Sequence, residues 1–230
     1  MKKTNQEIDK RGKLFALEGI DGAGKKTWRR FLENWFVTNG FKARSFEYPD
    51  YSSPWGNIIK KYLNDELELD PTEQFFTYFT DIFKDQEKIR NFLSQGIFVM
   101  IDRYFPSTIA FQCAKGFSYE LAFDILQATK PLVPDVIFFI DVQPETAIER
   151  CRYIKPLDRH ERDLNLLRSV AQLYKKIIQE RMLARKWIVV DGNKDLDTLK
   201  RIMEKELSAI INEWKASAEA DPYTLKLMNK

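Results

Sequence analysis

Leu14–Thr27 reads LFALEGIDGAGKKT: a short apolar run, then Gly19-x-x-x-x-Gly24-Lys25, then the start of a helical pattern. The run Leu14–Glu18 has the length and composition of a buried strand, and Trp28–Val37 carries apolar residues at helical spacing. Glycines between a strand and a helix let the backbone wrap so that its N–H groups point inward at phosphate oxygens. The helix N-terminus adds positive potential there. Lys25 then reaches the outer phosphates as a point charge. A plain Gly-rich turn is the alternative, but strand, position and lysine agree against it.

One residue departs from this pattern. The position after the lysine ordinarily carries Ser or Thr, whose hydroxyl ligates Mg²⁺, and here it is Lys26. An ammonium has donors and no acceptor, so it is no ligand. Thr27 offers a hydroxyl, but one helical step turns it about 100° away. Three options stay open: a changed loop brings Thr27 in, the metal is held differently, or Lys26 supplies charge that partly replaces the metal.

Outward from this segment, short apolar strands alternate with helical patterns. Ala43–Tyr48 reads as a second strand, ended by Pro49. Ile97–Ile101 and Val136–Ile140 are fully apolar, as parallel strands covered on both faces must be. Trp187–Val190 is the last strand and Leu196–Trp214 a closing helix. Asp70-Pro71-Thr72-Glu73 has the form of a capped helix start, and Phe75, Phe76, Phe79, Ile82 and Phe83 then recur on one stripe. Phe76, Phe79 and Phe83 read as core or dimer-interface residues. With no hairpin signals, the expectation is an α/β fold: a parallel five-stranded sheet with helices on both faces, in three layers.

Composition excludes several classes. The chain of 230 residues carries 37 Lys+Arg against 34 Asp+Glu, a net charge of +3 that gives no nucleic-acid-binding excess. No apolar run approaches the ~20 residues of a membrane span, and the start MKKTNQEIDKRGK lacks a signal-peptide core. Cys113 and Cys151 stand far apart with no CxxC, and His160 is the only histidine, which argues against structural zinc. A cytoplasmic, reduced protein is the expectation, with no nucleic-acid or membrane partner.

A second signature lies in IFVMIDRYFPSTIAFQ, which places Asp102-Arg103-Tyr104 at the C-terminal end of an apolar strand. Open α/β sheets bind ligands at such ends. Asp102 can hold Mg²⁺ or its water, and Arg103 can clamp a phosphate with a planar fork.

Taken in order, EGIDGAGK, YPDYSSPWGNIIKKYL, DRYFPSTIAFQ, PDVIFFIDVQPETAIER and the DRHE of Asp158–Glu161 resemble the thymidylate kinases, P-loop nucleoside monophosphate kinases that phosphorylate dTMP. The resemblance implies a P-loop NTPase-type kinase domain over residues 13–215, with a lid around 151–162. Residues 1–12 would form a polar extension and 216–230 a loosely attached tail. It implies ATP as phosphate donor, Mg²⁺ as cofactor and a homodimer. On it, Gly19, Ile20, Asp21, Gly22, Ala23, Gly24, Lys25, Lys26 and Thr27 would hold the ATP phosphates, and Arg150 would lie against adenine. Asp21 matches the carboxylate that contacts the acceptor sugar, and Arg103 the arginine on the acceptor phosphate. Lys25, Arg103, Asp102 and Asp21 form the implied catalytic set, with Asp102 and Thr27 the metal candidates. Tyr48 and Tyr78 would flank the acceptor nucleotide, with Ser107, Thr108 and Phe111 along its base.

The basic lid carries Arg152, Lys155, Arg159 and Arg162, which would close over the transferring phosphates. His160 reads as a neutral surface side chain. Three further departures bear on the acceptor. Tyr51 stands where relatives carry a phosphate-binding arginine, Ile82 where a base-reading arginine is expected, and Phe111 replaces a tyrosine. Losing a charged hydrogen bond at position 82, worth about 1.5–3 kcal/mol, should blunt base recognition. The same transfer to another nucleoside monophosphate, or nucleotide binding without turnover, are the alternative readings.

Overall fold

The computed structural model describes residues 11–219. Five strands, β1 (Leu14–Glu18), β2 (Ala43–Glu47), β3 (Phe98–Asp102), β4 (Val136–Asp141) and β5 (Trp187–Asp191), form one sheet in the order β2-β3-β1-β4-β5. Every neighbouring pair is parallel. The chain runs outward from β1 to β2, returns to β3, then crosses β1 to reach β4. This reversal opens a crevice at the carboxyl end of β1, where ligands of such sheets bind.

Burial explains the strand order. All five residues of β1 and of β3 are buried, and β4 is buried up to Ile140, so these fully apolar runs take the centre. The edge strands β2 and β5 each bury only one residue fully, the others being half-buried or exposed. On one face Phe15 packs against Phe36 of α1 (Lys25–Thr38) at 4.9 Å and Trp214 of α9 (Leu196–Glu219) at 5.7 Å between ring centroids. On the other, Phe139 meets Tyr174 of α8 (Leu164–Gln179) at 4.9 Å. Three layers result. Truncating Phe15, which is fully buried, costs on the order of 3–5 kcal/mol.

Helices α2 (Pro54–Leu63), α3 (Pro71–Phe83), α4 (Gln86–Ser94), α5 (Phe105–Ala114), α6 (Tyr119–Thr129) and α7 (Pro144–Arg152) complete the described elements. Helix α3 starts as its sequence requires: Asp70 accepts from the amides of Thr72 and Glu73, and Glu73 reaches back to the Asp70 amide. Its stripe divides. Phe75, Phe79 and Ile82 are buried, with Phe75 stacked on Phe117 at 4.0 Å, while Phe76 is half exposed. Helix α5 is buried from Phe105 to Gln112, packed against both α3 and α8.

Two boundaries shift. The Gly12 amide donates to the Leu93 carbonyl, and a Cβ at Gly12 would lie 1.9 Å from the Ile97 carbonyl oxygen, so Gly12 is already packed on the domain. The last helix passes Trp214 and Ala216 to end at Glu219, and the rest of the tail lies outside the described residues. No helix among the described residues is long and apolar enough to cross a membrane.

Candidate active site

The loop after β1 closes around its own backbone. Gly22 has φ 80°, and a Cβ there would fall 2.2 Å from the Ala147 carbonyl oxygen of α7. Gly24, at φ 85°, is the N-cap of α1 without any side-chain cap, which leaves that helix end open to an anion. Lys25 is buried and donates to the Ile20 carbonyl at 2.8 Å, holding the loop curled. Burial, then the neighbouring Arg103 charge, lowers its ammonium to about 8, against the pull of Asp21, Asp102 and Glu18. Phosphate oxygens would restore what burial removes.

Arg103 follows β3 in the left-handed region, at φ 67°. This conformation is strained for a residue with a side chain, and the surroundings hold it. Nη1 donates to the Gly19 carbonyl and to the Ser107 hydroxyl, each at 3.1 Å, and Nη2 pairs with Asp21. For Asp21, burial would raise the carboxyl, but Arg103 and then Lys25 outweigh it and bring the group down to about 2. Arg103 and Asp21 therefore stay charged together across the working pH range.

Beneath them lies a residue the sequence did not single out. Glu18 is fully buried at the end of β1 and accepts from the Tyr104 amide (2.8 Å), the Ser107 hydroxyl (2.6 Å) and the Tyr174 hydroxyl (2.8 Å). Burial raises its carboxyl despite these bonds. The available signal was an ionisable residue closing an otherwise apolar strand. Ser107, read as a base contact, is already engaged: its hydroxyl joins Glu18 to Arg103 and so positions the guanidinium.

A cleft of about 540 Å³, counting its open mouth, lies beside Arg103 and Asp21. It brings together Tyr48, Tyr78, Thr108 and Phe111, as the sequence implied, along with Tyr51 and Ile82 at the departing positions. Tyr78 and Ile82 stand one turn apart on α3, and both line this cleft. Tyr78 Oη, Thr108 Oγ1 and both amide atoms of Gln112 are buried without a protein partner. Four unpaired polar atoms lining one cleft mark where a ligand's polar edge belongs. Gln112, the last residue of the DRYFPSTIAFQ signature, was not read as a site residue.

Two expectations need correction. His160 is buried, not a surface side chain: its ring stacks on Phe111 at 5.3 Å and lines the cleft. Apolar walls from Tyr62, Tyr78 and Phe111 enclose it. The lid cations also lie elsewhere. Arg159 donates to Asp65 (2.7 Å) and to both carboxylate oxygens of Glu68 (2.8 and 2.6 Å), and Arg162 pairs with Asp65. Lys155 pairs with Glu161 at 3.1 Å, and Arg152 is exposed. Opposite charge in the acidic run Asp65–Asp70, next to α2, draws the two arginines away from the loop. Arg150 donates to the Gly192 carbonyl at 3.0 Å, beyond β5 and outside the cleft.

Lys115 bonds His160 Nε2 at 2.8 Å and also bonds Gln74. Burial, then Arg159, lowers it to about 7. The unfolded chain therefore binds more protons between about pH 7 and 10.5, so stability is expected to rise with pH across that window. Lys115→Met should flatten this rise, as read by denaturant midpoints at pH 7 and 9.5.

Lys26 is exposed and points to Glu47 at 3.6 Å, which Arg29 also binds at 3.0 Å. Thr27 is exposed as well. Asp102 is buried, and burial raises its carboxyl against the pull of Lys25 and Arg103. In the sheet register Asp102 sits beside Glu47. Mg²⁺ takes one or two carboxylates plus phosphate oxygens, so Asp102 fits it even with no hydroxyl at position 26.

Comparison with known proteins agrees with this geometry. The family model for thymidylate kinase matches residues 17–202. The probable thymidylate kinase of Archaeoglobus fulgidus is 33% identical over 200 residues, covering 86% of this chain and 96% of the relative. The enzyme of Thermosipho africanus is 29% identical, covering 85% of this chain and all of the relative. A solved structure of the Candida albicans thymidylate kinase, described for its broad substrate specificity, superposes with a TM-score of 0.71 at 22% identity. It covers 88% of this chain and 93% of that one. The chain belongs to the thymidylate kinase family and carries out ATP-dependent phosphorylation of dTMP to dTDP.

Proposed function

We propose a division of labour for this transfer, carried above all by the Arg103–Asp21 pair at the junction of loop and cleft. The loop Gly19–Thr27 and Lys25 hold the ATP phosphates, with Arg150 on the donor side. The cleft takes dTMP, its base toward Gln112, Thr108 and Tyr78, whose unpaired polar atoms support that orientation. Arg103 aligns the acceptor phosphate for in-line attack, while Asp21 fixes the guanidinium and meets the sugar. A dedicated base is not required, because positioning and charge neutralisation supply most of the rate. Asp102 would hold Mg²⁺, which when bound neutralises charge on the β- and γ-phosphates. Lys155 and Arg152 remain the lid cations nearest in sequence to the loop's partner helix α7. Homodimerisation belongs to the same reading: Trp55, Ile58 and Phe76 leave apolar surface exposed on α2 and α3. So does cytoplasmic residence, with which the free thiols of Cys113 and Cys151 accord.

Lys26 bears directly on the metal. Its tie to Glu47 turns the ammonium toward β2 and favours an impaired metal site over a replacement charge. Lys26→Thr is expected to lower the Mg²⁺ concentration for half-maximal rate several-fold without slowing the enzyme. Initial rates against Mg²⁺ for both proteins test it; a variant slower at every concentration would show that Lys26 does the metal's electrostatic work.

A further inference from the structure

Position 82 offers the base only a methyl-rich side chain, yet the cleft holds a neutral ring from the lid turn. His160 stacks on Phe111 (5.3 Å, 27°) and on Tyr78 (6.5 Å, 23°), with Tyr62 in an edge contact. Its backbone is tied down independently: the Asp158 carboxylate accepts from the amides of His160 and Glu161, each at 3.0 Å, and the Arg159 amide donates to the Leu63 carbonyl.

A chain of hydrogen bonds sets the protonation of this ring. Gln74 Nε2 donates to the Leu69 carbonyl at 2.7 Å, which orients the amide so that Oε1 faces Lys115. Below about pH 7 Lys115 is charged and has only donors, so there it donates to Gln74 Oε1 and to His160 Nε2. A nitrogen that accepts a hydrogen bond carries no proton, so in the neutral ring the proton sits on Nδ1. Burial, then the Lys115 charge, keeps the imidazole neutral by lowering it to about 3. Among the described residues Nδ1 has no hydrogen-bond partner.

We propose that His160 is a specificity-determining residue whose Nδ1–H donates to a carbonyl oxygen of the acceptor base, standing in for the arginine absent at Ile82, with Lys115 and Gln74 as positioning residues that fix its tautomer. This rests on the assignment of the cleft to dTMP. The donor favours thymine, with a carbonyl at C4, over cytosine, with an amino group there. Because His160 belongs to the lid turn, base recognition and lid position are mechanically one event.

Steady-state rates with dTMP and dCMP, at saturating ATP, test this. His160→Phe keeps the stacking and removes the donor; it is expected to raise KM for dTMP about tenfold and leave dCMP within twofold. His160→Asn, whose amide nitrogen overlays Nδ1, should keep the dTMP/dCMP ratio within about threefold of wild type. Lys115→Met should lower that ratio about threefold by freeing the tautomer. Equal loss on both nucleotides in His160→Phe, or an unchanged ratio, would leave His160 as packing alone and overturn the proposal. Imidazole ¹⁵N resonances give a readout independent of turnover: protonated Nδ1 in the free protein, shifting with dTMP and not with dCMP. An Nε2–H ring, or no shift where dTMP binds, overturns it too. Absence of any dTMP turnover or binding would overturn the cleft assignment and the proposal with it; an Nδ1–H ring in that case separates this failure from a wrong tautomer.

Discussion

Arg103→Ala is expected to lower kcat/KM for dTMP at least ~30-fold, the equivalent of ~2 kcal/mol, because a charge-assisted fork to the acceptor phosphate disappears. ATP affinity should stay within a few-fold, since the guanidinium lines the cleft proposed for the acceptor. The same substitution has a structural signature. Asp21 is held at about 2, against a usual 3.8, chiefly because Arg103 and Lys25 overcome the effect of burial. A lowered carboxyl contributes stability above its unfolded pKa, and that stability is lost as pH falls toward the folded value. In the wild type about 2 kcal/mol should therefore disappear between pH 4 and 2. In Arg103→Ala this acid-labile share should shrink, because the carboxyl loses its main partner. Urea midpoints along a pH series read it directly. A variant with wild-type turnover of dTMP would place the acceptor phosphate elsewhere.

Lys25→Met should lower kcat by about 10²–10³, the range found when one donor to developing charge is removed. Its effect on the ligand-free protein should have the opposite sign. The Lys25 ammonium is brought down to about 8 by burial and Arg103, so the unfolded chain binds more protons between about 8 and 10.5. Below that window the folded protein carries the full cost of the buried charge. Methionine removes that cost, and the thermal midpoint near neutral pH should rise as activity falls. In the wild type, kcat/KM for ATP should decline above about pH 8, following the free enzyme's lysine. The alkaline limb of kcat should lie higher, since bound phosphates favour the ammonium. Coincident limbs would mean that Lys25 is not in contact with the nucleotide.

Lys25 was legible in its own stretch of the chain, and the reason is local. Gly22, Gly24 and Lys25 serve a backbone conformation that only nearby residues can form, and the strand before them is apolar throughout. The sequence LFALEGIDGAGK therefore states strand, turn and phosphate loop in one stretch. The same holds for the capping box at Asp70 and Glu73 and for the central strands, where burial on both faces demands uninterrupted apolar residues. Tyr78, Thr108 and Phe111 came from the resemblance to the thymidylate kinases, and the fold brings them into one cleft.

What the sequence by itself could not determine involves partners far apart in the chain. Glu18 meets Tyr174 across 156 positions, and only packing of α8 on β4 brings them together. Arg159 and Arg162 read as phosphate ligands until the fold sets the acidic turn at Asp65 and Glu68 beside them, where opposite charges meet at shorter range. His160, polar and flanked by charge, has every local mark of an exposed residue. Its burial comes from Tyr62, Tyr78 and Phe111, three aromatic side chains from three different helices that converge only in the folded molecule. Local patterns set the elements and the loop, because their physics is short-ranged. The tertiary structure alone decided which charges pair and which polar groups line the cleft, because Coulombic and packing partners are chosen by distance in space.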